Sequence, residues 1–276
     1  MALAQLAYIG QRVQHQLSAF GRFSRFCGAT FKWMIRGPRG MNRFRLLMPQ
    51  LYAIGTMSIV VVVIVGGFVG AVLGIETHEQ FAAIGQESRL GGIIDISVVK
   101  QIGPVLAAVM IAGRVGGAVS AELGTMRVTE QIDALQVMGA DPIAHLVVPR
   151  VVACLIMVPI LTIFSDLAGV FGGWLVVVKF LGVDPVAYSR FAADFVTNFD
   201  VFTGLIKGMV FGFMIGIISC YKGFHCAPGA RGVGQAATNA FVTSFLAIIV
   251  ANFFLAKFLK DVYDVIYGSS GMTAFG

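Results

Sequence analysis

Few residues that can carry charge or form strong hydrogen bonds interrupt the long apolar stretches of this sequence. Lys100 and Gln101 stand at the start of one apolar stretch and Arg114 toward its end. Asp166 lies within the next stretch, and Lys207 begins another. A charged side chain at the centre of a bilayer costs roughly 3 kcal/mol and usually faces a protein interior or a water-filled cavity. These residues are the first candidates for a site, although we assign no partner to Asp166.

Two further acidic residues stand at helical spacing from these basic residues. Asp200 and Lys207 are seven residues apart and share one helical face. The pair fits either an anchor whose charges reach the membrane surface or the charged rim of a substrate cavity. Glu122 follows Arg114 by eight residues on roughly the same face, so we expect Arg114 and Glu122 to form a structural ion pair.

A short charged segment separates two of the apolar stretches. The run AELGTMRVTEQIDALQVMGADP, Ala121–Pro142, holds four of the chain's fourteen acidic residues. Thr129 stands where a helix N-cap is expected, and Glu130 and Asp133 follow in the first turn. These signals predict a helix over residues 129–139, about 15 Å long and too short to cross a membrane.

The predicted short helix has two different faces. Because an isolated helix of this length is marginal in water, packing must hold it. We expect one face to pack on the protein itself and the other to be free for a partner; the alternative is a helix that merely connects two spans. At 100° per residue the packed face holds Val128, Ile132, Leu135 and Met138, and the outward positions are Glu130, Asp133 and Val137.

Sequence motifs for nucleotide hydrolysis and membrane enzymes are absent. The chain has no GxxxxGK[ST] phosphate loop, no HExxH and no GxSxG. Its four cysteines and four histidines are scattered without metal-ligand spacing, so we assign no metal site and no catalytic residue. If the protein performs energised work, the energy must come from a partner.

The composition is that of a membrane protein. Of 276 residues, 57% are hydrophobic and 12% are charged, against about 25% charged in soluble domains. Crossing a bilayer takes roughly 20 helical residues, and continuous apolar runs do not fit the alternating pattern of a membrane β-barrel. The fold class is therefore an all-α integral membrane protein with five spans, predicted at residues 51–75, 102–121, 151–178, 204–221 and 232–256.

The distribution of basic residues predicts the orientation. Residues 1–50 hold eight Lys or Arg and no acidic residue. Cytoplasmic loops retain Lys and Arg, which places the N-terminus in the cytoplasm and, with five spans, the C-terminus outside. The segment Ala121–Pro142 is then cytoplasmic, and the cytoplasmic side carries thirteen Lys or Arg against seven outside.

The first 48 residues are predicted to contain an amphipathic helix on the membrane surface; the alternative is a disordered basic tail. The apolar positions of the amphipathic helix are Leu3, Leu6, Val13, Leu17 and Phe20, with Arg12, Gln16 and Arg22 between them.

Small residues four apart on the first, second and fourth spans predict close helix packing, as with Gly70 and Gly74 or Gly208 and Gly212.

One long motif resembles a known family. The run GRVGGAVSAELGTMRVTEQIDALQVMGADP, Gly113–Pro142, is similar to the signature of the MlaE/YrbE family, permease subunits of ABC transporters that work with MCE-domain proteins. Supporting segments are QLYAIG (Gln50–Gly55), GGFVGAVLG (Gly66–Gly74), IGPVLAAVMIAGR (Ile102–Arg114), PRVVA (Pro149–Ala153) and LIKGMVFG (Leu205–Gly212).

The resemblance implies a function and partners. It implies a homodimeric permease in the bacterial inner membrane that moves phospholipid or related lipid between that membrane and the outer envelope. Cytoplasmic ATPase subunits would bind ATP and Mg, so this chain would need no cofactor. An MCE-domain protein outside and a STAS-domain protein are further implied partners, and no nucleic acid is expected. A lipid-acting enzyme and a passive channel or scaffold are the alternatives.

The resemblance also implies roles for particular residues. The short helix corresponds to the family's coupling helix, which lies in a groove of the ATPase. The lipid cavity would lie between two permeases, lined by parts of spans one, two and five. Familiar members carry Arg-Glu where this chain has Lys100-Gln101, so one negative charge is missing. The coupling residues would be Arg127, Glu130, Gln131, Asp133, Leu135, Met138 and Asp141, and the polar mouth of the cavity would hold Lys100, Gln101, Ile102 and Lys207.

Overall fold

A computed structural model describes residues 2–36 and 41–268 as a helical bundle. Within these residues there are α-helices and short 3₁₀ and π segments but no strand, which confirms the all-α prediction. The α-helices are α1 (Ala2–Arg36), α2 (Met41–Ile54), α3 (Ile59–Ala82), α4 (Leu90–Ser97), α5 (Gly103–Ile111), α6 (Gly117–Val128), α7 (Gln131–Val137), α8 (Val148–Trp174), α9 (Pro185–Phe195), α10 (Asn198–Phe224) and α11 (Ala230–Tyr267).

Five helical stretches in the described residues are long and apolar enough to cross a membrane, as predicted. Each is longer than its predicted counterpart, because the helix continues through the polar residues at which an apolar run stops. The second span, for example, begins twelve residues before the predicted start at residue 102. The spans are Phe44–Ala82, Leu90–Val128, Ile143–Phe180, Asn198–Phe224 and Ala230–Val265.

Span three occupies the centre of the bundle, and glycines on spans one and three allow close approach. A Cβ on Gly70 would lie 1.9 Å from the carbonyl oxygen of Gly169. A Cβ on Gly172 would lie 2.1 Å from the carbonyl oxygen of Gly67. The two backbones are therefore in contact, which is the packing predicted from the small residues of span one.

The fourth span packs against the N-terminal half of span three through its own glycines. A Cβ on Gly212 would lie 2.5 Å from the carbonyl oxygen of Cys154, and one on Gly216 would lie 3.0 Å from the Cα of Val151. Gly117 of span two differs, because a Cβ there would meet nothing within 4 Å. Only some of the small residues of span two therefore make close helix contacts within this chain.

Helix α9 follows span three and precedes span four in the chain. A buried hydrogen bond attaches it to span two. The Tyr188 hydroxyl donates a hydrogen bond to Asp95 Oδ1 at 3.1 Å, and both side chains are buried. Burial, together with the neighbouring Asp95 carboxylate, raises the pKa of Tyr188 above its ordinary range. The tyrosine therefore stays protonated and continues to donate.

The N-terminal helix α1 packs against the end of span four. The Phe26 ring is buried and lies 5.5 Å from the Tyr221 ring and 5.8 Å from the Phe224 ring, between centroids. Leu17 and Phe20, on the predicted apolar face, are exposed on the protein surface. The side chains of Leu3, Leu6 and Val13 lie outside the described part of the chain.

The glycine contacts between spans one and three predict the effect of added methyl groups. Gly70→Ala would force two backbones apart, and overpacking of this kind costs about 1–3 kcal/mol. We expect a lower thermal unfolding midpoint in detergent. Gly67→Ala is the matched control, because its Cβ would lie 3.5 Å from the nearest atom, the carbonyl oxygen of Ala168. Equal midpoints for the two variants would contradict the packing.

Candidate functional site

The first candidate site is a polar cluster between spans two and four. Lys207 is 1% exposed, and its Nζ donates to the Lys100 carbonyl oxygen at 2.9 Å and to Gln101 Oε1. Pro104 explains why that carbonyl is available, since proline has no N–H to donate to the residue four positions before it. The structure therefore brings together three predicted cavity residues, Lys100, Gln101 and Lys207.

Asp200 belongs to the same cluster but does not pair with Lys207. Its Oδ1 lies 2.8 Å from Lys100 Nζ. Its Oδ2 accepts hydrogen bonds from the Thr197 backbone N–H at 3.1 Å and hydroxyl at 2.6 Å, which caps span four. Lys207 is therefore not an anchor whose charge reaches the membrane surface, because its ammonium group is buried.

A cavity of about 310 Å³ opens beside this cluster. It lies between spans two, four and five, whereas the family resemblance suggested spans one, two and five. Sequence reasoning missed its residues from span five, although they recur at helical spacing toward the end of that span. Ile102 is not among the lining residues, which are Ile96, Ser97, Lys100, Gln101, Phe199, Thr203, Lys207, Ala256, Leu259, Lys260 and Tyr263.

The predicted ion pair between Arg114 and Glu122 is wrong, because each side chain contacts another partner. Arg114 donates a hydrogen bond to the Ser58 hydroxyl of span one. Glu122 Oε1 lies 2.8 Å from Nη2 of Arg150, which is 4% exposed at the start of α8. Eight residues correspond to about 12 Å along a helix, too far for the two side chains to meet readily. The Glu122–Arg150 pair instead ties span two to span three.

Asp166 remains a residue without an assigned partner. Its Oδ1 is buried and has no hydrogen-bond partner in the described part of the chain. The oxygen fits against Gly103, where an added Cβ would lie 1.7 Å away. The contact explains the need for glycine at position 103.

The second candidate site is the segment between spans two and three. Its helix α7 covers Gln131–Val137, which is shorter than the predicted range 129–139. Thr129 is not the N-cap of α7 but the C-cap of α6, and its hydroxyl donates to the Thr125 carbonyl at 2.9 Å. Glu130 precedes α7 with φ 59°, a left-handed conformation that costs a residue with a side chain roughly 1–2 kcal/mol. The chain thus reverses sharply at Glu130.

The faces of α7 agree with the prediction only in part. Ile132 is buried and Leu135 is half-buried, as expected for the packed face. Val128 and Met138 were placed on that face but are exposed, because α7 begins after the reversal and ends before Met138. Val137 is 89% exposed, in agreement with its predicted outward position.

Charged contacts fix both ends of the segment. At the start, Arg127 Nη1 forms an ion pair with Asp133 Oδ1. At the end, Asp141 Oδ1 accepts from the Ile143 N–H at 2.8 Å, and its Oδ2 accepts from the Trp33 indole N–H at 2.9 Å. Asp141 therefore joins α7, the start of span three and the N-terminal helix α1, which sequence reasoning did not predict.

Comparison with known proteins decides the family. The model of the Permease MlaE family matches residues 47–258, which include all five predicted spans, the segment between spans two and three, and the cavity lining except Leu259, Lys260 and Tyr263. The chain belongs to the MlaE permease family. This agrees with the resemblance seen in the sequence, and the five spans make the chain a multi-pass membrane protein.

Individual MlaE-family relatives match over almost the whole chain. A probable ABC transporter permease protein of Rickettsia felis is 41% identical over 254 residues, 92% of this chain and 97% of the relative. A probable ABC transporter permease protein of Synechocystis is 41% identical, covering 90% of this chain and 91% of the relative. The intermembrane phospholipid transport system permease protein MlaE of Haemophilus influenzae is 31% identical, covering 92% and 97%.

The bond between Trp33 and Asp141 predicts that α1 docks through its indole. A hydrogen bond to a charged acceptor contributes about 1.5–3 kcal/mol, so Trp33→Phe should loosen the C-terminal half of α1. We expect faster amide hydrogen exchange in that half, measured on the intact protein. Trp174→Phe is the control, since its ring stacks on Phe171 at the other end of span three. Unchanged exchange in α1 would contradict the docking role.

Proposed function

We propose that the chain is the permease subunit of an ABC transporter that moves phospholipid or a related lipid between the inner membrane and the outer envelope. The observation that carries the proposal is the similarity to the Haemophilus influenzae phospholipid transport permease over 92% of the chain. The five spans and the polar cavity supply the physical means, because a lipid headgroup needs a polar environment to pass through a membrane.

The energy enters through α7, the proposed coupling helix. The sequence has no phosphate loop of its own, and Val137 at the end of the short helix and Met138 directly after it are exposed beside charged residues. Its fixed ends favour transmission of force, since Arg127–Asp133 and Asp141 tie it to spans two and three. Cytoplasmic ATPase subunits that bind ATP and Mg are the proposed partners at this surface.

The assembly around the permease follows the family pattern. A second copy would complete a homodimer, an MCE-domain lipid-binding protein would receive or deliver lipid outside, and a STAS-domain protein would join the cytoplasmic part. The excess of Lys and Arg in residues 1–50 supports a cytoplasmic N-terminus and a periplasmic C-terminus in the bacterial inner membrane.

Lipid binding is assigned to the cavity beside Lys207. Lys100, Gln101 and Lys207 supply polar and charged groups at the outer ends of spans two and four, and Ile102 follows them along span two. Their arrangement supports a headgroup site at the outer side, with the apolar remainder of the lipid in the membrane or at the dimer interface.

The coupling assignment predicts that reversed charge on α7 detaches the ATPase. In Glu130→Lys/Asp133→Lys, we expect ATPase co-purification to fall about tenfold, which corresponds to about 1.4 kcal/mol. The permease itself should remain folded in the membrane. Glu87→Lys/Asp194→Lys provides the matched control, because both acidic residues are exposed on the opposite side of the bundle.

A charge swap separates partner contact from local structure. Arg127→Asp/Asp133→Arg keeps an ion pair between positions 127 and 133. It moves the acidic group from position 133 to position 127. We expect this variant to remain defective in ATP-dependent lipid transfer. Full recovery would show that only the internal pair matters and would contradict a partner contact at Asp133.

The cavity assignment predicts lipid contact at Gln101. A photoreactive residue at Gln101, which lines the cavity, should crosslink to phospholipid more than one at Val60, which is exposed on the membrane face of span one. Lys207→Met should lower the yield at Gln101 by removing the central ammonium group. Equal yields at the two positions, measured by mass spectrometry, would place the lipid elsewhere.

A further inference from the structure

We infer that the cavity between spans two, four and five selects a lipid headgroup with net negative charge, such as phosphoglycerol, over a zwitterionic headgroup. The inference rests on the proposed function, since it names the class of lipid that the permease would carry. Four side chains of the cavity would make the selection: Gln101, Thr203, Lys207 and Lys260.

The charge of the cavity is positive. Its lining residues include three lysines, Lys100, Lys207 and Lys260, and no carboxylate. Asp200 neutralises Lys100 at 2.8 Å, which leaves Lys207 and Lys260 without an ion pair among the described residues. A headgroup that brings a negative charge would balance this excess, whereas a zwitterion would bring an additional cation.

The hydrogen-bonding groups of the cavity are mainly donors. A lysine ammonium group has three N–H donors, and those of Lys207 have two acceptors, Lys100 O and Gln101 Oε1. Since Gln101 uses its oxygen for Lys207, its amide NH₂ remains as a donor pair. These groups suit the oxygens of a phosphate, which accept hydrogen bonds.

Thr203 is an independent observation that points to a hydrogen-bonding ligand in the cavity. The residue is 2% exposed, lines the cavity, and its Oγ1 has no hydrogen-bond partner in the described part of the chain. A buried hydroxyl without a hydrogen-bond partner destabilises the folded protein. A phosphate oxygen in the cavity would accept from this hydroxyl and remove the cost.

The shape and aromatic groups of the cavity favour an anionic headgroup without a quaternary amine. A volume of about 310 Å³ is at the lower end for ligand pockets, so it fits a headgroup and not whole acyl chains. Tyr263 packs on Phe199 with ring centroids 5.1 Å apart, and Lys100 Nζ lies 6.0 Å from the Tyr263 centroid. Because the Lys100 ammonium group already lies over this ring, a second cation such as choline is disfavoured beside it.

The inference is tested on the assembled transporter in nanodiscs. The probes are phosphatidylglycerol, phosphatidic acid and phosphatidylcholine with identical acyl chains, mixed at equal amounts and at two salt concentrations. Lipid retained by the purified complex is measured by mass spectrometry. We expect each anionic lipid to be enriched about fivefold or more over phosphatidylcholine, with less enrichment at high salt because ions screen the lysines.

Two variants assign the preference to the cavity. Lys260→Gln removes a charge at the end of span five, and Thr203→Val replaces the unpartnered hydroxyl at nearly constant volume. We expect each to lower the enrichment about two- to fivefold, as for an exposed charge or one hydrogen bond. Lys257→Gln is the matched control, because Lys257 is exposed on the same helix and does not line the cavity.

The outcomes distinguish this inference from the proposed function. Retained lipid without an anionic preference in the unmodified complex would overturn the inference and leave the lipid-transport proposal standing. A preference that survives both Lys260→Gln and Thr203→Val would place the selecting group elsewhere and would also overturn it. Failure of the complex to retain or transfer any of the three lipids would contradict the proposed function itself.

Discussion

The burial of Lys207 is the constraint on which the polar site depends. A buried ammonium group needs hydrogen bonds, and two are supplied by span two, from the Lys100 carbonyl and the Gln101 amide oxygen. The first of these acceptors is available because Pro104 cannot donate to it. Span four is thereby held against a π segment, Val98–Ile102, and π segments of this kind are frequent at functional sites.

The connecting segment at the other end of the bundle is held by a different set of contacts. Arg150 is buried and meets Glu122, while Asp141 accepts hydrogen bonds from the Ile143 N–H and the Trp33 indole. Each contact joins two elements that converge on α7. A force applied to α7 would reach spans two and three through these bonds, and would also reach α1.

The sequence predicts the fold class, the number of spans and the short helix from local physical signals. Apolar length is enough to identify a span, and glycine spacing is enough to predict that span one packs closely on another helix, but not that this helix is span three. The ion pairs were not predictable in this way. Arg114 and Glu122 share a helical face, but contacts such as Glu122–Arg150 depend on how separate helices pack, as does the Trp33–Asp141 bond across 108 residues. Lys260 and Thr203 were missed for the same reason.

The most direct measurement of the central claim is an experimental density map of the assembled transporter with bound lipid. We expect a headgroup within hydrogen-bonding distance of Lys207 Nζ and Thr203 Oγ1, and an ATPase subunit in contact with α7. A map in which the cavity between spans two, four and five holds no lipid, and the ATPase contacts another surface, would contradict the account.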